Sequence, residues 1–189
     1  GHKTTRPVAL QALHGGEVQL GGGTPGRGLV ELHYSPFGGE WLHRTTTIAG
    51  DCVACRTRPV TVAGCEAWAL GPEDAVLQLG LHLAVNHQMS YSGIRSLVDI
   101  VLQARAQPPD WAVVAERARA WRVAAATWLV LDLSNRLWGL AGAEKAIERL
   151  RPGVVRRRIL HYFANEDSLL EAQDLRQGAG RFVYQLTIV

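Results

Sequence analysis

The chain has 189 residues, 47% of them hydrophobic and 20% charged, which is enough apolar material for one sizeable core and excludes disorder as a global description. Its formal charge of +3 comes from an arginine-dominated basic set; so small an excess is weak support for nucleic acid as a partner and fits a polyanionic substrate such as a nucleotide equally well. The longest apolar stretch, Val123 to Leu133, is interrupted by Asp132 and too short to cross a bilayer, so no membrane span is expected.

The first residues, "GHKTTRPVAL", have no apolar core of signal-peptide type, which places the protein in the cytoplasm. The first strong local signal is "EVQLGGGTPGRGLVELHY": two short strands, Glu17 to Leu20 and Leu29 to Tyr34, joined by a Gly/Pro turn into a hairpin. "GGGTPGRG" precedes a strand rather than a helix, so it reads as a turn and not as a phosphate cradle. Side chains alternate along a strand, so Val30, Leu32 and Tyr34 belong to one face and Leu29, Glu31 and His33 to the other.

Cys52, Cys55 and Cys65 make an odd number, which argues against a secreted disulfide framework and for reduced structural thiols. "CVAC" could still be half of a Zn²⁺ site completed by Cys65 and His43 or His33, but no second CxxC or HxxxH follows, so zinc is not the favoured reading. A redox pair is favoured still less. "TRPVTVAGCEAWAL" reads as a second strand pair around Gly64, with Pro59 at an edge or a start.

Composition changes near Gly71, from Gly, Thr, Pro and Val in short alternating segments to Ala, Leu, Arg and Trp at helical spacing. The expected class is therefore α+β: a β-rich region over residues 1–70 and a mainly α-helical bundle over residues 71–189. Pro72, Glu73 and Asp74 suit the first turn of a helix whose apolar positions cover nearly its whole circumference, so that helix should be buried. A helix from Ser92 or Gly93 stops at Pro108, and Asp110 caps the next. A long apolar helix ends near Gly139, a short one ends at Pro152, and "VVRRRILHYF" and "DSLLEAQDL" give two more weakly amphipathic segments. Trp111, Trp121, Trp128 and Trp138 lie at helical positions where core is the expected role, and Arg156 to Arg158 are expected to form a solvated helix face.

Two pairs of polar residues fall on helices otherwise expected to be apolar. His82 and Asn86 are four apart, as are Arg95 and Asp99 on the following helix, so each pair shares a face. One reading makes Arg95 and Asp99 an intrahelical ion pair and His82 a satisfied core histidine; the other lines a pocket with them, facing the sheet.

The order and spacing of "LVELHYSPF", "LGPEDAVLQLGLHLAVNH" and "GIRSLVDIVLQAR" resemble the signature of a bacterial family called uncharacterised nucleotidyltransferases, within the DNA polymerase beta-like superfamily. The likeness spans about Gly15 to Gly139, and "LRPGVVRRRILHYF" is similar to a later segment of the family. The resemblance implies a partial nucleotidyltransferase sheet packed with helices. In that chemistry carboxylates hold Mg²⁺, which bridges the triphosphate of an NTP while a hydroxyl of a small molecule or protein attacks. Glu31 matches the third carboxylate of such a set and is the implied catalytic and metal-binding residue; His33, His82, His87, Arg95 and Asp99 are the implied substrate-binding residues. The family's upstream Asp-x-Asp pair has no counterpart, since Glu17 is the sole acid before Glu31. "GHKTT" is similar to a step just past the family's catalytic strand, so the chain is expected to begin after that segment. The alternative to a metal-dependent transferase is a non-catalytic helical interaction module built on the same scaffold.

Overall fold

The computed structural model describes residues 3–4, 17–21, 29–33, 35–38, 40–48, 51–89, 93–166, 169 and 179–189. Strand β1 (Lys3–Thr4), β2 (Glu17–Gly21) and β3 (Leu29–His33) form an antiparallel sheet in that order. Its register pairs Glu17 with His33, Val18 with Leu32, Gln19 with Glu31 and Leu20 with Val30. Directly opposed residues share a face. The alternation therefore sorts the hairpin into an apolar face, on which Val18 is buried, and a polar one carrying positions 17, 19, 31 and 33. The segment expected to follow Phe163, "DSLLEAQDL", falls almost wholly outside the described residues, as does Tyr34.

After α1 (Glu40–Thr45) and a single 3-10 turn (Val53–Arg56), β4 (Arg58–Val62) and β5 (Cys65–Ala69) make a separate two-stranded hairpin. Both residues of its turn, Ala63 at φ 50° and Gly64 at φ 81°, are left-handed, the conformation that matches the twist of the flanking strands. Pro59 lies near the start of β4, where its missing N–H costs no ladder bond beyond the pair. The expectation of reduced thiols is corrected here. Cys52 and Cys55 are joined in a disulfide across the 3-10 turn, their Cα atoms 5.4 Å apart, and Cys65 is free and exposed on β5. Two cysteines three apart fall within bonding reach when a 3-10 turn folds the chain back on itself, a local geometry that the count of cysteines does not reveal.

The remainder is helical: α2 (Pro72–Leu81), α3 (Gly93–Ala106), α4 (Trp111–Ala120), α5 (Ala124–Trp138), α6 (Glu144–Leu150), α7 (Val154–Phe163) and α8 (Ala179–Ile188). Asp110 caps α4 as its sequence position requires, accepting from the backbone N–H of Ala112 at 2.9 Å and Val113 at 3.3 Å. Helix α5 ends at Gly139, whose φ of 69° only glycine adopts without strain. Residues 125–131 of α5 are all buried, so this helix is the centre around which α2, α3, α4, α6 and α8 pack. Each fully buried leucine or valine there contributes about 1.5–3 kcal/mol. Trp121 and Trp128 are core residues, and Trp111 and Trp138 pack partly buried against the core, as their spacing predicts.

The region before Gly71 contributes to the same core. Phe37, Leu42, Ile48 and Val53 are buried in one cluster with the helices. Phe37 meets Trp121 edge-on at 5.0 Å, and Thr47 donates from its hydroxyl to Ala120 O at 2.6 Å. These contacts fix the chain that leaves β3 against the C-terminal end of α4.

Candidate functional site

Strand β3 brings Glu31 and His33 to the segment Ser35–Gly38, which Phe37 anchors in the core and Ser35 Oγ closes by accepting from Phe37 N at 3.2 Å. The backbone of Glu31 pairs with Gln19; its side chain lies outside the described residues. His33 is exposed at the end of the strand.

The second wall is a local departure from α geometry. Helix α2 runs without a break into a π turn, His82–Asn86, in which His87 N bonds to His82 O at 3.0 Å, five residues back. In a regular α-helix, residues five apart point roughly 140° away from each other. The wider turn instead aligns His82 with His87: their Nε2 atoms are 2.9 Å apart and the rings meet edge-to-face at 4.5 Å. Asn86 Nδ2 lies 3.4 Å from His82 Nδ1 and donates to Gly38 O at 3.2 Å, tying the turn to the segment that follows β3. The expected sharing of a face by His82 and Asn86 is present, and His87 joins them.

Two features hold this turn open. Gln88 and Met89 both have left-handed backbones, at φ 50° and 54°, so the helix ends abruptly with Met89 N bonded to Leu83 O at 3.0 Å. The carbonyl of Ala84 is left over from this pattern and accepts from the hydroxyl of Tyr184 on α8 at 2.7 Å, inside the core. Tyr184 is a functional neighbour that sequence reasoning missed, because its partner is a backbone atom 100 residues away.

Arg95 and Asp99 stand exposed on α3 and make no hydrogen bond or ion pair with the described residues, so the structure realises neither their expected intrahelical pairing nor a polar link to the histidines. Among the described residues, no group of three or more His, Cys, Asp or Glu is placed to hold a metal ion. Glu31, the Mg²⁺ ligand that the resemblance implies, has its side chain outside the described residues, and no chemical step is assigned to the metal. Zinc at Cys52, Cys55 and Cys65 does not match the described arrangement, in which two of the three sulfurs are bonded to each other.

An ionic network joins the first turn of α2 to the 3-10 turn and α4. Asp74, 1% exposed in the first turn of α2, accepts from Arg56 Nε at 2.8 Å and Arg117 Nη1 at 2.7 Å. Arg56 also grips Asp51 with two bonds, at 2.7 and 3.2 Å, and Asp51 accepts from the indole of Trp121 at 2.7 Å. The carboxylates of Asp74 and Asp51 raise the pKa of Arg56 above its ordinary value, and the Arg56 guanidinium, helped by the Trp121 indole and opposed by burial, holds Asp51 below its own. A signal for this network exists in the sequence: Asp74 stands three and seven residues before Leu77 and Leu81, in line with the buried face of α2.

Residues 21–139 match the profile of a family described as uncharacterised nucleotidyltransferase. The match covers more than half of the chain, and the chain belongs to that family. It contains β3, α1, the disulfide turn, both β4 and β5, and α2 through α5, including every residue of the candidate site except Tyr184. No curated protein and no solved structure matches the chain. Among the described residues no helix is long and apolar enough to cross a membrane.

Proposed function

We propose that the chain serves the metal-dependent transfer of a nucleoside monophosphate from an NTP to a hydroxyl of a small molecule or protein. The observation that carries the reading is the 3.2 Å bond from Asn86 to Gly38 O, which couples an aligned histidine pair to the segment leaving the strand of Glu31 and His33. The His87 ring, its Nε2 held against His82 Nε2, keeps its Nδ1 side for a phosphate oxygen, and a turn that already fixes that ring is pre-organised for the role. In this reading His87 binds the triphosphate while His82 holds its ring, Arg95 adds an exposed cation from α3, Asp99 lies one helical turn from it, and His33 orients Glu31. Glu31 contributes one carboxylate to a Mg²⁺ site, and the bound metal would supply charge stabilisation to the phosphates.

The test is calorimetry of Mg²⁺–NTP binding and NTP consumption by the full-length protein. Glu31→Gln is expected to abolish turnover with nucleotide binding largely kept, and His87→Gln to raise the KM for NTP about tenfold through the loss of a charge-assisted hydrogen bond. No Mg²⁺–NTP binding in the wild-type protein would overturn the proposal. It would favour a non-catalytic interaction module, a reading supported by the β4–β5 hairpin, where Trp68 is 72% and Val62 60% exposed.

A further inference from the structure

The run Arg156 to Arg158 does not act as one solvated face. Arg156 turns inward, donates from Nε to Thr187 O at 2.6 Å, and has its pKa lowered by burial. Arg158 is exposed. Arg157, half-buried, points to neither fate: it lines a cleft of about 420 Å³ between α5, α6 and α7.

Each of the three helices contributes one polar pair at helical spacing to this cleft. On α5, Asp132 accepts from Arg136 Nε at 3.0 Å, and Arg136 also pairs with Glu166. On α6, Glu148 accepts from Arg151 at 3.1 and 3.3 Å. On α7 the pair is Arg157 and His161, and it has no matching acid of its own. The side chain of Arg157 makes no hydrogen bond or ion pair with the described residues. The His161 ring stacks on buried Trp128 at 5.2 Å, and its Nε2 is buried 3.4 Å from Asp132 Oδ2 without a hydrogen bond. Asp132 and Glu148 are thus taken up by Arg136 and Arg151, with His161 Nε2 also facing Asp132, and the basic group left over is Arg157.

We propose that this cleft binds the phosphoryl group of a small phosphorylated molecule, with Arg157 as its principal ligand, Arg151 adding donors from the opposite wall, and Ile147 and the stacked His161 ring against the rest of the molecule. A tetrahedral phosphate takes donors from several directions at once, which suits two guanidinium groups on different helices better than a planar carboxylate would. The volume is that of a small-molecule site. A nucleic acid strand is disfavoured because Asp132 and Glu148 interrupt the positive lining. None of the residues lining this cleft belongs to the proposed transfer site, so the proposal does not depend on that reading.

The experiment is calorimetry of inorganic phosphate against the full chain at constant ionic strength, with sodium chloride as the control. One saturable site is expected, weakened about tenfold or more by Arg157→Gln and unchanged by Arg158→Gln. Phosphate should also protect Arg157 in the unmutated chain from modification by phenylglyoxal, read by mass spectrometry, which gives an answer even if the variant does not fold. The proposal is overturned by no heat beyond the chloride control, by equal losses in both arginine variants, or by a single-stranded oligonucleotide displacing phosphate at lower concentration. Loss of phosphate binding in His87→Gln with Arg157→Gln unaffected would place the ion at the nucleotide site and also overturn it, while leaving the transferase reading intact.

Discussion

Changing Tyr184 to phenylalanine keeps the ring and deletes one oxygen, so it isolates the bond that closes the π turn. That hydroxyl reaches Ala84 O at 2.7 Å, both residues are fully buried, and the neighbouring backbone donor, Met89 N, is already committed to Leu83 O. Water does not replace the lost donor, and a buried carbonyl left without a partner costs about 1–3 kcal/mol. For a chain of this size that corresponds to a fall in Tm of about 2–12 °C. Urea unfolding followed by the fluorescence of the six tryptophans should show a lower midpoint with an unchanged slope. Proton NMR of the imidazoles should show His82 and His87 drawing apart as the turn relaxes. An unchanged midpoint would refute the reasoning, because it would mean that Ala84 O finds another donor and that the turn does not depend on α8.

Three further outcomes test the frame around the site. Asp74→Asn should cost about 3–5 kcal/mol in urea unfolding, since it leaves Arg56 and Arg117 facing a neutral group in a buried position. Because the folded state holds Asp51 below its ordinary 3.8, the stability that Asp51 supplies is fully present above that pH and is lost as pH falls through its lowered folded value. Asp51→Asn should therefore be less stable at neutral pH and flatten the acid limb of a stability–pH curve; an identical acid limb in both proteins would contradict the assignment. Ala63→Asn should raise stability by about 1 kcal/mol, because asparagine tolerates the left-handed backbone at φ 50° that alanine adopts there under strain.

The elements that could be read from the sequence are those whose causes are local. Alternation around a Gly/Pro turn marked β2 and β3 as a hairpin, whose register, Glu31 opposite Gln19, came only with the structure, and turn chemistry located the Ala63–Gly64 hairpin. Pro72, Asp110 and Gly139 marked helix ends because each meets a need of the helix terminus beside it. What the sequence hid depends on distant partners. A π turn differs from an α turn by a single residue, and the periodicity of "LHLAVNH" fits both; Tyr184 and the left-handed residues after it decide between them. His87 was therefore legible as a family position but not as the neighbour of His82. Asp74 read as an acid favoured by the helix dipole, whereas its larger role comes from Arg56 and Arg117, brought in from elsewhere in the chain.

The helices after residue 139 supply Ala146, Leu150, Leu160, Phe163 and Ile188 to the common interior, each at most 6% exposed. A boundary drawn from sequence kinship is thus not a boundary of autonomous folding. A piece cut at the end of α5 would bare the apolar side of its own central helix and should aggregate. Anyone wishing to transplant the family's shared segment into another protein would have to carry the last fifty residues with it.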